Sequence, residues 1–484
     1  MKLLRYINTR TLLLTITLFA GACNDFLDES PDNRVKLDNL DKAAQLLTNG
    51  YSIASPAFTD WMTDNVSYTR NVNLRQVHER AYEWEDFTDD PNEQDSPSFF
   101  WYETYNAIAH ANEVLAVIAT LPAKTETEQR RKRSIESEAR LIRAYGHFML
   151  VNLFAKHYST TSAESDRGIP YVETPETIFI QTYTRNTVRE VYDKVEEDML
   201  LGIELLDDSF FANSGKYHFN RNAALAFASR FYLFKKEFDK CIDYSTQMLG
   251  GDPGSFIRDL TSLEFQAASS SIQGYPQLYS SPTQRSNLLL MRKISLVQRL
   301  DFAHGPTNDT YDDIFGPSAF GGTDQRENPS FVKGENGVFP VRYESLFERS
   351  SLNSNVGTPY HIGIMFRGEE VLLNRAEALA ERNRLSEARA DLQVLAVRRY
   401  SGNISSINPT ASKSFILQIV QDERRREFLV QGMRWFDIKR FNIAVDHVLG
   451  DGTTVVKLQA NDLRKVLQIP QSAIDVGGLK PNPR

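Results

Sequence analysis

Two stretches of the chain pair an alanine-rich segment with an amphipathic one, and this pattern constrains the fold more than any other feature. Ala223–Ala228 leads through a short polar turn to Phe238–Ile242, and Glu370–Ala380 leads through another to Leu385–Ala388. Small residues let a partner helix approach closely, and in such a pair neither helix buries its apolar face alone. The sequence therefore predicts a mainly α-helical protein built on a tetratricopeptide-like helical-repeat scaffold.

The other apolar positions follow the 3.6-residue helical period over much of the chain. They predict further helices over residues 40–55, 99–122, 131–154 and 188–206. The chain has 484 residues, of which 41% are hydrophobic. This amount suits one large helical domain or two closely packed lobes.

Residues 250–360 differ from the helical segments, because they are rich in Gly, Pro, Ser, Asn and Tyr. Short strand-like runs occur at 286–291 and 338–342. The composition predicts a loop-rich insertion that contains small helices and strands. Long loops on a rigid scaffold usually carry function, so we expect the ligand site to draw on this insertion.

The motifs of the common catalytic classes are absent from the sequence. The eight histidines form no HExxH pair, and neither a Walker A loop, a GxGxxG turn nor a GxSxG turn occurs. Asp309, Asp312 and Asp313 lack the spacing of a calcium loop and are interpreted as a solvated loop. A net charge of −8 argues against a nucleic-acid surface. We therefore expect no catalytic residue, no cofactor and no metal site.

The first 22 residues are typical of a lipoprotein signal peptide. Basic residues precede the short apolar run Leu12–Ala20, and the small residues Gly21 and Ala22 precede Cys23. The run is too short to span a membrane. Cys23 is the predicted lipidation site, although a lipobox usually has Leu where Ala20 stands. An ordinary secretory signal is the alternative. Cys241, the other cysteine, is expected to fill the helical core.

Four segments and the C-terminal tail together resemble the SusD/RagB family of Bacteroidetes outer-membrane lipoproteins. Each contains the charged and aromatic pattern of one family motif. The segments are Glu138–Phe154 with Gly168–Val172, Arg221–Leu233, Arg367–Ala378, Asp422–Arg440 and the tail 467–483. The resemblance implies an N-terminal region over 23–235 and a C-terminal region over 236–484 that includes the insertion 250–360. It also implies a SusD-like α–α superhelix.

The motif residues themselves are interpreted as structural. Arg424, Glu427, Arg434, Asp437 and Arg440 recur at helical spacing, which brings opposite charges together on one helix face. The aromatic side chain between them, Trp435, is expected to pack on a neighbouring helix. Where the family usually has Glu, this chain has Gln431, and we expect the change to alter a structural ion pair rather than ligand binding.

The resemblance implies a non-enzymatic lipoprotein that is anchored in the outer membrane and faces the cell exterior. It would capture an oligosaccharide and deliver it to a SusC-like TonB-dependent transporter. Peptide or glycopeptide capture by a RagB-like lid is the alternative. A surface glycosidase would require two carboxylates that flank a cleft, and the sequence nominates no such pair. A purely structural scaffold remains a further alternative.

Aromatic and polar residues in two irregular regions are the candidate ligand contacts. A pyranose ring lays its apolar C–H face on an aromatic ring, and its hydroxyl groups bond to amide, carboxylate and guanidinium groups. The alternative for each ring is a place in the core. The candidates are Trp61, Asp64, Asn65, Tyr68, Arg70, Tyr82 and Trp84 after the first helix, and Tyr275, Tyr279 and Tyr311 in the insertion.

Overall fold

The computed structural model describes residues 36–484 except 73, 87–89, 179, 212–213, 272, 298–302, 328–329 and 353. The chain divides into a unit over Met1–Asp38 and a compact unit over Asn39–Arg484. The predicted signal peptide and Cys23 lie outside the described residues. The second unit continues across residue 235, where the sequence predicts a boundary between an N-terminal and a C-terminal region. That boundary stays a prediction.

Helices dominate the described chain, which confirms the predicted fold class. In chain order they are α1 Leu40–Leu47, α2 Gln76–Tyr82, α3 Pro97–Ile118, α4 Glu126–Phe154, α5 Val188–Leu205, α6 Arg221–Lys235, α7 Phe238–Leu249, α8 Leu263–Ser269, α9 Gly274–Tyr279, α10 Asn308–Ile314, α11 Gly368–Glu381, α12 Leu385–Ala396, α13 Lys413–Glu427, α14 Met433–Phe441 and α15 Gln471–Asp475. Short 3₁₀ helices cover Pro56–Met62, Asp208–Phe211, Gly215–Tyr217, Pro253–Phe256 and Leu463–Lys465.

Two helix boundaries differ from the predicted ones for local reasons. α4 begins at Glu126, five residues before the predicted start, because Thr125 and Glu128 form a capping box that bonds the first free N–H groups. α1 ends at Leu47, well before residue 55, and Gly50 follows where the chain passes closely over Ile142. A side chain at position 50 would come within 3.0 Å of Ile142.

Both predicted helix pairs are present, and they are built alike. α6 turns into α7 through Lys236 (φ 63°), and α11 turns into α12 through Asn383 (φ 59°). α7 also packs against α11, which joins the pairs. Asn374 Nδ2 of α11 donates to Ser229 Oγ of α6 (3.2 Å), and Cys241 of α7 is fully buried as expected. Small side chains therefore bring the helices together as the repeat pattern predicts.

Short strands accompany the helices and lie mostly in the insertion. They are β1 Ser67–Tyr68, β2 Asn287–Lys293, β3 His304–Gly305, β4 Thr323–Asp324, β5 Phe331–Lys333, β6 Val338–Pro340, β7 Leu346–Arg349, β8 Gly357–Arg367, β9 Tyr400–Ser401, β10 Val445–Val448 and β11 Val455–Leu458. The antiparallel sheet β2–β8–β7 leads directly into α11. β8 extends beyond the predicted insertion, and the strand-like runs at 286–291 and 338–342 correspond to β2 and β6.

Buried ion pairs connect the C-terminal helices, which confirms the structural interpretation of the motif residues. Arg424 bonds Asp437 across two helices (3.0 Å), and Arg440 bonds both Asp437 (2.8 Å) and Glu377 (2.6 Å). Trp435 is fully buried beside them. The motif forms two helices, α13 and α14, rather than one continuous helical face. The Arg440–Asp437 pair lies within α14, and the other two pairs run between helices.

Candidate ligand-binding site

A cavity of about 240 Å³ lies where the irregular segment after α1 meets the insertion. Its walls come from both regions selected in the sequence, together with one residue from the turn after α13. The lining residues are Asp60, Trp61, Val66, Thr69, Asn71, Val297, His304–Pro306, Gly334–Pro340 and Val430.

Backbone hydrogen bonds hold the two regions together around the cavity. β1 pairs antiparallel with β3, so that Tyr68 lies opposite His304. Thr69 N–H donates to the carbonyl of Ala303 (2.7 Å). The β5–β6 hairpin joins the same strand, because Val338 N–H donates to Pro306 O (2.8 Å). Segments more than 200 residues apart in the sequence therefore form one rigid wall.

The floor of the cavity is a strained turn tied to a buried carboxylate. Val430 has φ 60° and Gly432 has φ 77°, and a β-branched residue in the left-handed region is rare. Gly432 N–H donates to Asp60 Oδ2 (2.6 Å), and Thr59 Oγ1 donates to Gly432 O (3.2 Å). Burial raises the pKa of Asp60 to about 7. Strain of this kind persists only where the surrounding structure holds it, as it does here.

The accessible part of the cavity combines one aromatic ring with amide and carboxylate groups. Phe339 is partly buried, and Glu335 and Asn336 are exposed at the tip of the β5–β6 hairpin. Asn71 is partly buried on the opposite segment. Phe339 can therefore take the C–H face of a sugar, while Asn71, Asn336 and Glu335 bond its hydroxyl groups.

A stack of histidine and aromatic rings lies behind the cavity wall. The His304 ring packs against Tyr68 (centroids 5.6 Å apart) and Tyr82 (4.6 Å). Tyr82 and Trp84 both stack on His447, at 3.9 and 4.4 Å. Trp84 Nε1 donates to Met62 O (2.9 Å). These rings stabilise the wall from the core side.

The stack makes the stability of the protein sensitive to acid through His304. Burial, together with the smaller effect of the neighbouring His447, lowers the pKa of His304 to about 4. Since the unfolded chain binds this proton near pH 6.5, stability is full above pH 6.5 and is lost as the pH falls toward 4. Between pH 7 and pH 5 we expect His304 to account for about 2 kcal/mol of the fall in the free energy of unfolding.

The measurement is urea unfolding of the wild-type protein and of His304→Gln at both pH values. The wild-type free energy of unfolding should fall more steeply, by about the amount given above. His110→Gln, which changes a histidine on the surface of α3, is the matched control and should leave the wild-type slope unchanged. Equal slopes for His304→Gln and the wild type would contradict the prediction.

Two of the predicted polar residues have structural partners. Asp64 forms an ion pair with Arg434 (2.8 Å), and Asn65, which is fully buried, accepts a hydrogen bond from Arg425 Nε (2.7 Å). Both contacts tie the irregular segment to the helices of the C-terminal motif. Arg70 (φ 63°) is exposed and does not line the cavity, although its neighbours Thr69 and Asn71 do.

The predicted aromatic residues are mostly covered. Trp61 lines the cavity with 2% of its surface exposed, and Tyr68 is partly buried. The buried Trp61 ring leaves no face for a sugar in this conformation. Five further candidate rings are only 1–3% exposed and therefore take the core positions that were the alternative for each ring: Tyr82, Trp84, Tyr275, Tyr279 and Tyr311.

Tyr275 and Tyr279 belong to a small core of the insertion, whereas Tyr311 belongs to the main core of the protein. The Tyr275 hydroxyl lies 2.7 Å from Ser330 Oγ, and the Tyr279 hydroxyl accepts from Arg367 Nη1 (3.0 Å). Tyr311 donates to Glu327 O (3.0 Å). An insertion this long has to bury apolar surface of its own, and Tyr275 and Tyr279 contribute to it.

Sequence reasoning missed Phe339, Asp60 and the hairpin tip. A signal for the hairpin is present, because Gly334–Gly337 (GENG) is a turn sequence directly before the predicted strand-like run. Asp60 carries no comparable signal, since its role depends on a bond to a residue 372 positions away.

Two further properties hold for the described part of the chain. None of its helices is long and apolar enough to cross a membrane. Within the same residues, His, Cys, Asp and Glu side chains form no group of three or more that could hold a metal ion.

Family models match both regions of the chain. A model described as "Starch-binding associating with outer membrane" matches residues 25–233, and a model described as "SusD family" matches residues 336–477. Together with the helical-repeat fold, these models define an outer-membrane-associated class of binding proteins. The chain belongs to the SusD family, as the sequence motifs predicted.

Solved structures share the fold at low sequence identity. A SusD superfamily protein from Bacteroides thetaiotaomicron is 21% identical with a TM-score of 0.68, and the match covers 92% of this chain and 100% of that one. A putative sugar binding protein from Bacteroides vulgatus is 20% identical with a TM-score of 0.70, covering 93% and 99%. A SusD-like carbohydrate binding protein from the same species is 16% identical with a TM-score of 0.68, covering 91% and 97%. A comparison with curated proteins finds no match.

Proposed function

We propose that the protein captures an oligosaccharide in the cavity between the irregular segment and the β5–β6 hairpin. It then delivers this ligand to a SusC-like TonB-dependent transporter, while a lipid on Cys23 anchors it to the outer membrane facing the exterior. The observation that carries the proposal is the pairing of the Phe339 ring with polar groups in one small cavity. Membership of the SusD family and the sugar-binding names of two structural neighbours support a carbohydrate ligand.

The size of the cavity favours a short part of a sugar chain. At about 240 Å³ it is smaller than the roughly 300–1,000 Å³ of pockets that enclose whole drug-sized ligands. A chain end or a single branch residue fits this space. The rest of a longer ligand would remain outside the cavity.

Backbone bonding favours a glycan over the alternative, a peptide or glycopeptide. Peptide capture relies on free backbone groups along the site. Three lining residues already use their N–H groups within the protein: Thr69 bonds Ala303, Gly334 bonds Gly337, and Val338 bonds Pro306. Side chains therefore remain the main source of ligand contacts.

Replacing the accessible ring tests the site directly. We expect Phe339→Ala to weaken glycan binding roughly tenfold, about 1.4 kcal/mol, because the sugar loses its apolar platform. The melting temperature should change little, since the ring is partly exposed. The ligand is first identified on an array of neutral, amino and acidic glycans and of peptides. Its affinity is then measured by titration calorimetry.

Phe347→Ala is the matched control, because that phenylalanine is 49% exposed on β7 and does not line the cavity. It should bind the glycan as the wild type does. Binding of peptides alone would support the alternative function. An unchanged affinity for Phe339→Ala would remove the cavity from consideration, and release of reducing sugars would contradict a purely binding role.

A detergent pull-down of the lipidated protein from its outer membrane tests the delivery step. A TonB-dependent barrel in near-equal amount is the expected result. Recovery of the protein alone would contradict the proposed partner. Membrane attachment that persists in Cys23→Ala would contradict the proposed anchor.

A further inference from the structure

A second groove, of about 490 Å³, opens on the helical side of the protein and is separate from the first cavity. Its walls are the end of α1 with the segment that follows, one face of α3, the 3₁₀ turn Gly215–Tyr217, and β2. Leu290 and Met291 of β2 are buried beneath it. Every residue that lines it differs from those that line the first cavity.

An exposed aromatic ring is held at the edge of this groove. Tyr217 is 41% exposed, and the turn that carries it is anchored on both sides. Lys216 Nζ donates to Gln284 O (2.7 Å), and Asn220 Nδ2 donates to Gly215 O (2.6 Å). His218, the next residue, bonds Glu138 (2.6 Å). The ring is therefore presented to the solvent by a rigid support, which lowers the cost of ordering it on binding.

Polar side chains line the same groove as the ring. The side chains of Asn49, Glu103 and Asn106 line the groove and make no hydrogen bond to another described residue. Partial burial raises the pKa of Glu103. Arg292 borders the same groove, and its guanidinium stacks over Tyr360 and pairs with Glu348. Amide, carboxylate and guanidinium groups beside an aromatic face match the donors and acceptors of a sugar ring.

We propose that this groove is a second carbohydrate-binding site, which holds a further segment of a neutral glycan polymer by stacking on Tyr217. The proposal rests on the proposed function and deepens it, because two sites on one protein imply a polymeric or branched ligand. A polymer that is bound at one site is present at a high effective concentration near the other, so binding at both sites raises its apparent affinity. A short oligosaccharide occupies one site at a time and gains nothing.

The test compares polymer binding with oligosaccharide binding for the same variants. The probes are an array of amylose, xylan, mannan and mixed-linkage β-glucan, and the shortest oligosaccharide of whichever polymer the wild type binds. We expect Tyr217→Ala to weaken polymer binding at least tenfold and to leave binding of the short oligosaccharide within twofold. Tyr217→Phe, which keeps the ring, should retain polymer binding.

Phe415→Ala is the matched control, since Phe415 is 50% exposed on α13 and lines neither site. It should bind both probes as the wild type does.

Unchanged polymer binding in Tyr217→Ala overturns the second site while leaving the first intact. Equal loss for polymer and oligosaccharide also overturns it, because the ring would then act through the first cavity. Loss of transporter co-purification with unchanged glycan binding would make the groove a protein interface instead. A wild type that binds no glycan overturns the proposed function itself.

Discussion

Glu427→Gln is expected to lower the free energy of unfolding by about 3 kcal/mol, because it removes the negative charge at the centre of a buried ion network. Glu427 accepts hydrogen bonds from Arg399 Nε (2.9 Å) and Nη2 (3.1 Å), and Arg326 Nη1 lies 3.4 Å away. Arg399 is fully buried and Arg326 nearly so. Burial raises the pKa of Glu427, but the two arginines outweigh it and hold the pKa well below its usual range.

The loss exceeds the worth of one hydrogen bond, because the variant leaves positive charge in the core without its counter-charge. Arg399 would keep Glu369 (2.9 Å), and Arg326 would keep Asp324 (2.5 Å), so the network would be weakened rather than abolished. This remaining pairing is the reason to expect about 3 rather than 5 kcal/mol. Urea unfolding at pH 7, followed by circular dichroism, measures the difference.

Glu387→Gln is the matched control for this prediction. Glu387 pairs with Arg384 in the same two-bond geometry (2.6 and 2.8 Å), but the two side chains are 56% and 47% exposed. Solvent screening limits such a pair to about 0.5 kcal/mol. If both variants lose the same stability, burial of the network is not what makes Glu427 important.

The helical scaffold could be predicted because its determinants are local. The alanine-rich face of α6 and the repeat of that pattern in α11 are visible within a dozen residues. The small side chains at Ser229 and Cys241 then meet Asn374 as the pattern requires. The family motifs added specificity, because their charged residues recur at fixed spacing.

The site was predicted at the level of regions rather than residues. Both irregular regions do form one cavity, yet aromatic content did not distinguish a ring that faces solvent from one that faces the core. Trp84 and Tyr275 are covered by partners from distant parts of the chain, His447 and Ser330. Phe339 was passed over, although it lies in a predicted strand, because only pairing of β5 with β6 turns it toward the cavity.

The departure at Gln431 illustrates how sequence and structure combine. The sequence indicated that Gln in place of Glu would alter a structural ion pair, and the structure identifies the partner as Arg367, whose guanidinium donates to Gln431 Oε1. Arg367 also lies 4.0 Å from Glu427. The buried arginine thus keeps one carboxylate neighbour where the family pattern would provide two.

Gly432→Ala is expected to lower the free energy of unfolding by several kcal/mol and to abolish ligand binding in the first cavity. A Cβ at position 432 would lie 2.2 Å from Pro56 O and 2.6 Å from the Pro56 carbonyl carbon, so backbone would have to move. The residue also has φ 77°, which favours glycine. Relief of the clash would pull Gly432 N–H away from Asp60 and disturb the turn at Val430.

The control separates the clash from the conformational preference. Gly452 has φ 75°, but a Cβ there would meet no atom within 4 Å. Gly452→Ala should therefore cost about 1 kcal/mol, the ordinary penalty of a left-handed alanine, and should leave glycan binding unchanged. Urea unfolding and calorimetric titration of both variants measure the two effects. If both variants lose the same free energy of unfolding, the close approach to Pro56 contributes nothing. If Gly432→Ala loses more stability but still binds the glycan, the strained turn supports the fold without shaping the cavity floor.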